Sequence, residues 1–289
     1  MSRIAYVNGR YLPHAQAGVH VEDRGYQFSD GVYEVIAVQN GHLVDEVEHL
    51  NRLGRSLSEL RMAWPVSPRA LRMVIREVVR RNRIGSRGIV YIQVTRGVAP
   101  RNHAFPKSTE SALVMTARWL PPLDWDVISR GVSVITTPDL RWTRRDIKSI
   151  SLLPNVLAKQ MATDQGAFEA WLVDDDGTIT EGTSSNAWVV TAGGELVTHY
   201  ADHAILNGIT RRMVMEICAQ QGITFVERAL TVDEAKTARE AFLTSTTGLV
   251  KPVTQIDGVD IGTGGIGPVT EKLLEHYLAH MLRPEGEQR

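Results

Sequence analysis

The sequence predicts an α+β fold of two domains, on three observations. Two Asn-Gly dipeptides sit between short apolar runs near the start. Strand and helix patterns mix in the second half without a regular βαβ alternation. A Pro-Pro pair interrupts the pattern between the halves. Ile4 to Val7 and Tyr11 to Leu12 flank Asn8-Gly9, and Val32 to Val38 and His42 to Val44 flank Asn40-Gly41. Each predicts a hairpin, because both turn residues tolerate positive φ. A helix follows from about Val47 to Met62, with Leu50, Leu53, Leu57 and Leu60 on one face. A second runs from Pro68 to about Asn82, with Leu71, Val74, Ile75, Val78 and Val79 turned inward. Strands are expected at Ile89 to Thr95 and Ala112 to Ala117. Leu120-Pro121-Pro122-Leu123-Asp124 reads as a stiff linker, since its prolines remove two backbone donors. Beyond it, strands are expected at Val132 to Thr136, Glu169 to Val173, Thr178 to Glu181, Ala187 to Val190, Glu195 to Val197, Thr224 to Val226 and Ala241 to Thr244. Helices are expected at Asn155 to Gln165, Thr210 to Gln221, Val232 to Thr237 and Gly267 to Met281. Asp175-Asp176-Gly177 and Gly193-Gly194 read as turns. The expected organisation is a small N-terminal α/β domain (1–118), a linker (119–124), a larger C-terminal mixed α/β domain containing Lys148 (125–283) and a disordered tail (284–289).

Composition narrows the function classes. A 43% hydrophobic and 22% charged content reads as soluble and globular, and a net charge of −1 gives no electrostatic case for nucleic acid or an anionic membrane. No stretch approaches the ~18 uninterrupted apolar residues of a membrane span, and Met-Ser-Arg-Ile-Ala-Tyr lacks the apolar run of a signal peptide. Cys218 is the only cysteine, so no intrachain disulfide can form; the expectation is a core thiol in a cytoplasmic protein. His14, His20, His42, His49, His199, His203, His276 and His280 show no metal-ligand spacing, and no metal is expected. Gly262-Thr263-Gly264-Gly265-Ile266-Gly267 follows no clear strand and lacks a lysine, so it reads as a turn. Ser184 and Ser185 lack the Gly-x-Ser-x-Gly context of a nucleophile.

Two short segments carry chemistry. Asp146-Ile147-Lys148-Ser149 offers an amine that can form a Schiff base with an aldehyde. Thr180-Glu181-Gly182-Thr183-Ser184-Ser185-Asn186 offers a carboxylate that could keep a pyridine nitrogen protonated. Those are the protein groups a pyridoxal phosphate enzyme most needs. Taken alone, a solvated lysine and a solvated strand-end glutamate account better for the two residues. A proton-shuttling lysine must be neutral, and Arg141, Arg144 and Arg145 would favour that form if close in space. Gly208-Ile209-Thr210 opens an apolar-periodic helix, whose free N–H groups suit an anion; an ordinary helix start is the plain alternative. Arg101 and His103 lie two apart and can point the same way if extended. A guanidinium matches both oxygens of a carboxylate. Tyr33 shares a strand face with Val35.

Seven stretches, in order, resemble the fold type IV (class IV) pyridoxal phosphate-dependent aminotransferases. They are Glu22 to Val35, His49 to Leu53, Gln93 to His103, Asp146 to Ser149, Thr180 to Asn186, Ile205 to Arg211 and Thr244 to Thr247. Within that family the chain is most similar to the D-amino acid aminotransferases. The resemblance implies that Lys148 carries pyridoxal 5′-phosphate and shuttles a proton, and that Glu181 faces the ring nitrogen. It assigns Arg52, Ile209, Thr210 and Thr246 to the phosphate, Leu206 to the ring, and Tyr33, Arg101 and His103 to the substrate carboxylate. It implies D-amino acid and 2-oxo acid substrates, a ping-pong reaction through the pyridoxamine form, and a homodimer with its active site at the subunit interface. Thr183 and Asn207 stand where relatives can carry serine and lysine, which bears on substrate preference. Alternatives are a branched-chain or (R)-amine transaminase or an aminodeoxychorismate lyase of the same fold, against which the Arg101/His103 pair argues. A cofactor-binding protein without turnover is another, against which Lys148 and Glu181 argue.

Overall fold

The computed structural model describes residues 3–283, so the tail expected at 284–289 lies outside the described residues. The chain divides into two compact units. Among the described residues, one comprises 3–122, Ile147–Ser151 and 282–283; the other comprises Leu123–Asp146 and Leu152–Met281.

The first unit contains β1 (Ile4–Val7), β2 (Arg10–Pro13), α1 (Arg24–Phe28), β3 (Gly31–Gln39), β4 (His42–Leu43), α2 (Glu46–Glu59), α3 (Pro68–Arg81), β5 (Arg87–Thr95) and β6 (Ala112–Trp119). Its sheet has the order β2-β1-β6-β5-β3-β4. Both Asn-Gly turns form as expected, with φ of 44° and 88° at Asn8 and Gly9 and of 51° and 77° at Asn40 and Gly41. β3 pairs antiparallel with β5 along its whole length, from Gly31↔Thr95 to Gln39↔Arg87. One face of β3, with Val32, Ile36 and Val38, packs into a single core with Leu50, Leu53 and Leu57 of α2 and Leu71, Ile75, Val78 and Val79 of α3. Ser67 caps α3 by accepting from the Ala70 N–H at 3.2 Å. α1 is absent from the elements that the sequence predicts: it has five residues and buries only Arg24, so it leaves no apolar period.

The short segment around Lys148 belongs to this first unit, although the chain on both sides of it belongs to the second. The reason is an open sheet edge. β4 pairs only with Val38 and Gln39 of β3, which leaves the opposite end of β3 without a strand beside it. There the Tyr33 N–H donates to Lys148 O at 3.0 Å and the Ile150 N–H donates to Gly31 O at 3.1 Å. Val32 and Ser149 form an antiparallel bridge, and Ile147 enters the core. The expected C-terminal domain, which contained Lys148, is therefore interrupted by a segment whose hydrogen bonds are made to β3.

The second unit contains α4 (Trp125–Ser129), β7 (Val132–Pro138), α5 (Leu153–Asp164), β8 (Glu169–Val173), β9 (Ile179–Gly182), β10 (Asn186–Val190), β11 (Leu196–Thr198), α6 (Ile209–Gln221), β12 (Phe225–Glu227), α7 (Val232–Lys236), β13 (Glu240–Ser245), β14 (Leu249–Ile256), β15 (Val259–Asp260) and α8 (Pro268–Met281). Its sheet runs β12-β11-β10-β13-β14-β7-β8-β9, with β15 paired to β14. The parallel pair β7–β8 requires a crossover, and that crossover contains both the Lys148 segment and α5. β14 is not among the predicted strands, and Pro252 stands in its middle. Pro252 faces Phe242 of β13, whereas pairing to β7 starts only at Val253, so the missing N–H falls where the β7 ladder has not begun. Among the described residues no helix is long and apolar enough to cross a membrane.

Gly31 permits the docking of the Lys148 segment: a Cβ there would come 2.7 Å from Val94 O and 3.0 Å from Ile150 Cδ1. Gly31→Ala should therefore destabilise the protein by about 1–3 kcal/mol, read as a lower urea midpoint. An unchanged midpoint would mean that the segment yields freely.

Candidate active site

The residues singled out from the sequence fall into two sets, one in each unit. In the first unit, Lys148 is half-buried with its Nζ 4.3 Å from the centroid of the Tyr33 ring. Tyr33 in turn stacks on Tyr91 at 5.6 Å. The ring lies on the face of β3 that also carries Val35. Arg101 and His103 are exposed and lie on a loop, not an extended strand, yet they meet at one ring. The Arg101 guanidinium is 4.8 Å and the His103 ring 5.2 Å from the centre of the Phe28 ring. The loop is shaped from beneath by buried Arg24, which donates to Asn102 O at 2.5 Å and to Asp30 at 2.8 Å. Arg52, on α2, forms a side-on pair with Glu34: its Nε donates to Oε1 at 2.7 Å and its Nη2 to Oε2 at 2.9 Å. His49 Nδ1 lies 2.8 Å from the same Oε2. Sequence reasoning misses Arg24, Glu34 and His49. It weighs His49 for metal-ligand spacing and as part of the His49 to Leu53 stretch but gives it no role, and a buried carboxylate inside an apolar strand leaves no periodic signal.

In the second unit Glu181 is buried on β9 and accepts from three directions. Arg141 Nη1 donates to Oε1 at 2.5 Å; Asn186 Nδ2 and the Leu206 N–H donate to Oε2 at 2.9 and 3.1 Å. Burial pushes the Glu181 carboxyl above its ordinary value, and the charge and hydrogen bond of Arg141 with the Leu206 N–H pull it back. Arg141 is itself anchored by Asp139, through Nε at 2.9 Å and Nη2 at 2.7 Å. Burial also opposes its charge, but the carboxylates of Glu181 and Asp139 hold it fully cationic. Arg144 pairs with Asp146 at 3.0 Å and Arg145 with Asp174 at 2.8 Å. The three arginines expected to bias Lys148 towards its neutral form thus have carboxylates of their own. Lys148 faces an aromatic ring, whose negative face attracts a cation.

The turn joining β9 to β10 is organised by a buried carboxylate that the sequence does not single out. Glu169 accepts from Thr183 Oγ1 at 2.8 Å, from the Ser184 N–H and Oγ at 2.7 Å each, and from Ser185 Oγ at 2.5 Å. Thr183 and the two serines are structural here. Asn186 closes the arrangement by donating also to Leu206 O at 2.9 Å, so the half-buried Leu206 is held at both backbone atoms. The chain then enters α6 through Gly208, where a Cβ would collide with Asn186 Oδ1. No side chain caps α6, and the N–H groups of its buried first residues, Ile209 and Thr210, have no acceptor within the helix. Thr210 Oγ1 lies 3.2 Å from Tyr277 OH. Thr246 is half-buried in the turn between β13 and β14, beside the bond from the Gly248 N–H to Ser245 Oγ at 2.9 Å. Asn207 is exposed and its Oδ1 accepts from Arg211 at 3.4 Å.

These residues fit a phosphorylated pyridine aldehyde. A buried, multiply hydrogen-bonded carboxylate suits a protonated ring nitrogen. The uncapped start of α6, narrowed by Asn186 until only glycine fits at its N-cap, suits a dianion.

Comparison with known proteins agrees with that chemistry. Residues 31–256 match the family described as amino-transferase class IV. A D-alanine aminotransferase of Bacillus licheniformis is 44% identical over 267 residues, 92% of this chain and 93% of the relative. One from Listeria innocua is 42% identical over 284 residues, 97% of each. The structure is also similar to that of a branched-chain aminotransferase from the archaeon Thermoproteus uzoniensis with norvaline, at a TM-score of 0.87 and 25% identity, covering 100% of this chain and 97% of that one. A further branched-chain amino acid aminotransferase, solved with pyridoxamine 5′-phosphate, matches at a TM-score of 0.89 and 27% identity over the same shares of the two chains.

Because folding raises the Glu181 carboxyl, this group favours the fold below the ordinary carboxylate range, and its contribution is lost as the pH rises through the raised value. Arg141 offsets that loss. Arg141→Met should cost about 3–5 kcal/mol near pH 8 and distinctly less near pH 4.5, measured as urea midpoints of the apoprotein. A deficit independent of pH would remove Arg141 as the group that keeps Glu181 charged.

Proposed function

The chain belongs to the class IV aminotransferase family, which is pyridoxal phosphate-dependent, and we propose that it transfers the amino group of D-alanine-like D-amino acids to a 2-oxo acid such as 2-oxoglutarate. The observation that carries this reading is the combination of Lys148, Glu181 and the Arg101/His103 pair in a chain 44% identical to a D-alanine aminotransferase. Lys148 would hold the cofactor covalently, Glu181 would pair with its ring nitrogen, and Leu206 would pack on the ring. Arg52, the N–H groups of Ile209 and Thr210, the Thr210 hydroxyl and Thr246 would hold the phosphate. When bound, the cofactor supplies an electron-withdrawing pyridinium ring able to accept charge released at the substrate Cα.

The chain's own groups then have separable tasks. Glu181, fixed by Arg141, Asn186 and the Leu206 N–H, keeps a proton on the ring nitrogen. Lys148 Nζ would carry a proton between the substrate Cα and C4′ of the cofactor within each half-reaction, away from Cα in the first and back to it in the second. Its carbonyl is tied to Tyr33, so the amine has a fixed base from which to reach. Arg101 and His103, both exposed and both beside the Phe28 ring, and Tyr33 bind the substrate carboxylate. The exposure of Arg101 and His103 in the single chain supports a homodimer in which they serve a neighbouring subunit's site. A buried thiol at Cys218, which cannot form an intrachain disulfide, supports a cytoplasmic setting.

A coupled assay with D-alanine and 2-oxoglutarate tests the reaction, and preference for L-leucine over D-alanine would overturn it. Borohydride reduction and peptide mapping should place the pyridoxyl group on Lys148; a label on Lys159 or Lys251 would refute that role. Glu181→Gln should keep the cofactor but lower turnover by roughly 10² or more. Arg101→Ala should lower kcat/KM for D-alanine at least about tenfold while sparing (R)-1-phenylethylamine, an amine with no carboxylate to trap. Equal losses on the two substrates would end the carboxylate-trap assignment.

A further inference from the structure

One face of β3 places Val32, Glu34, Ile36 and Val38 in a row, each 0% exposed. Three are aliphatic members of the first unit's core; the fourth is a carboxylate. Stability gives no reason for it, since replacing a buried ion pair by apolar residues of similar volume is often neutral or stabilising. What the carboxylate does is hold Arg52. It accepts from Nε and Nη2, so one whole edge of the guanidinium is committed and its orientation is set about two hydrogen bonds rather than one. His49 lies three residues before Arg52 on the same face of α2 and meets the same oxygen, which prevents the carboxylate from turning. Burial alone would push the Glu34 carboxyl up; the charge of Arg52, with the hydrogen bonds of Arg52 and His49, holds it well below the usual carboxylate range. The opposite face of the same strand carries Tyr33, whose ring lies under Lys148. Adjacent residues of β3 therefore steady two different groups to which the proposed function assigns cofactor contacts.

We infer that Glu34, backed by His49, is a positioning residue that aims the Arg52 guanidinium at the phosphate of pyridoxal 5′-phosphate. This rests on the reading of Arg52 as a phosphate ligand. The flexible side chain of an arginine loses rotamer freedom when it grips a ligand, and Glu34 removes that freedom in advance. The anion also keeps the partly buried Arg52 guanidinium in place when no phosphate is bound.

The test compares two probes on the apoprotein, pyridoxal 5′-phosphate and pyridoxal, which lacks the phosphate. Binding is followed by quenching of tryptophan fluorescence. Glu34→Gln should raise Kd for pyridoxal 5′-phosphate at least about tenfold, equivalent to ~1.4 kcal/mol, and leave Kd for pyridoxal within about twofold. Arg52→Gln should show the same selective loss, and adding Glu34→Gln to it should cost little more, because Glu34 acts only through Arg52. A rise in both constants together in Glu34→Gln would show general damage and overturn the inference. So would no change in Glu34→Gln alongside a selective loss in Arg52→Gln. If Arg52→Gln changes neither constant, the phosphate reading of Arg52 itself fails. Should Glu34→Gln not fold, Glu34→Asp keeps the charge but withdraws it by one methylene, and a loss on the phosphorylated probe alone is the expected result; no selective loss there overturns the inference.

Discussion

The interaction on which the second unit's site elements depend is the set of hydrogen bonds converging on the Glu181 carboxylate. Arg141 comes from the loop after β7, Asn186 from the start of β10, and Leu206 from the segment before α6. A buried carboxylate cannot leave its oxygens without partners, so each donor is held to its place by the cost of leaving. Asn186 passes that constraint on. Its amide also donates to Leu206 O, and its carbonyl leaves so little room at Gly208 that only glycine fits. The start of α6 is thereby set by a strand residue that precedes it by a hairpin and a loop. Disturbing the acid would be felt at the helix terminus as well as at the strand.

A second buried carboxylate, Glu169, works beside the first. It accepts four hydrogen bonds from three consecutive residues and so gives the polar turn between β9 and β10 a single conformation. Gly182 stands at the tightest point of that turn, against the Glu169 and Ser185 side chains. Small residues occupy the turn because the carboxylate beneath them leaves little space. The hydroxyls of Thr183, Ser184 and Ser185 are spent on holding Glu169.

How much of this is legible in the sequence depends on whether a residue's partner is local. Both Asn-Gly turns, α2, α3 and most strands of the second unit follow from patterns a few residues long, and they lie where those patterns place them. α1 is lost because one buried arginine makes no periodicity, and β14 because the objection to Pro252 holds only where a ladder partner is present on the N–H side. Lys148, Glu181, Arg52 and the start of α6 are legible through short motifs. The supporting groups are not: Glu34, which holds Arg52; Arg141, which holds Glu181, and Asp139, which anchors Arg141; Arg24, beneath the loop at 101–103; and Glu169, beneath the turn between β9 and β10. A charged residue inside a strand, or in a polar loop, gives the same one-dimensional signal whether it is solvated or satisfied by a partner brought from a distant part of the chain.

The docking of the Lys148 segment onto β3 has a consequence for how the chain can be divided. The hydrogen bond from the Lys148 N–H to Ser56 Oγ joins positions 92 residues apart, and the bonds to Gly31 and Tyr33 span more of the chain still. A fragment ending at Pro122 would contain β3 but not the backbone that covers its open end, leaving unpaired N–H and C=O groups of the kind that recruit other chains. A fragment beginning at Leu123 would carry Lys148 with no strand to receive it. Excision or permutation of this protein therefore succeeds only if that short piece of the crossover is kept with the sheet it completes, and during synthesis the edge stays bare until the ribosome has passed Ser151.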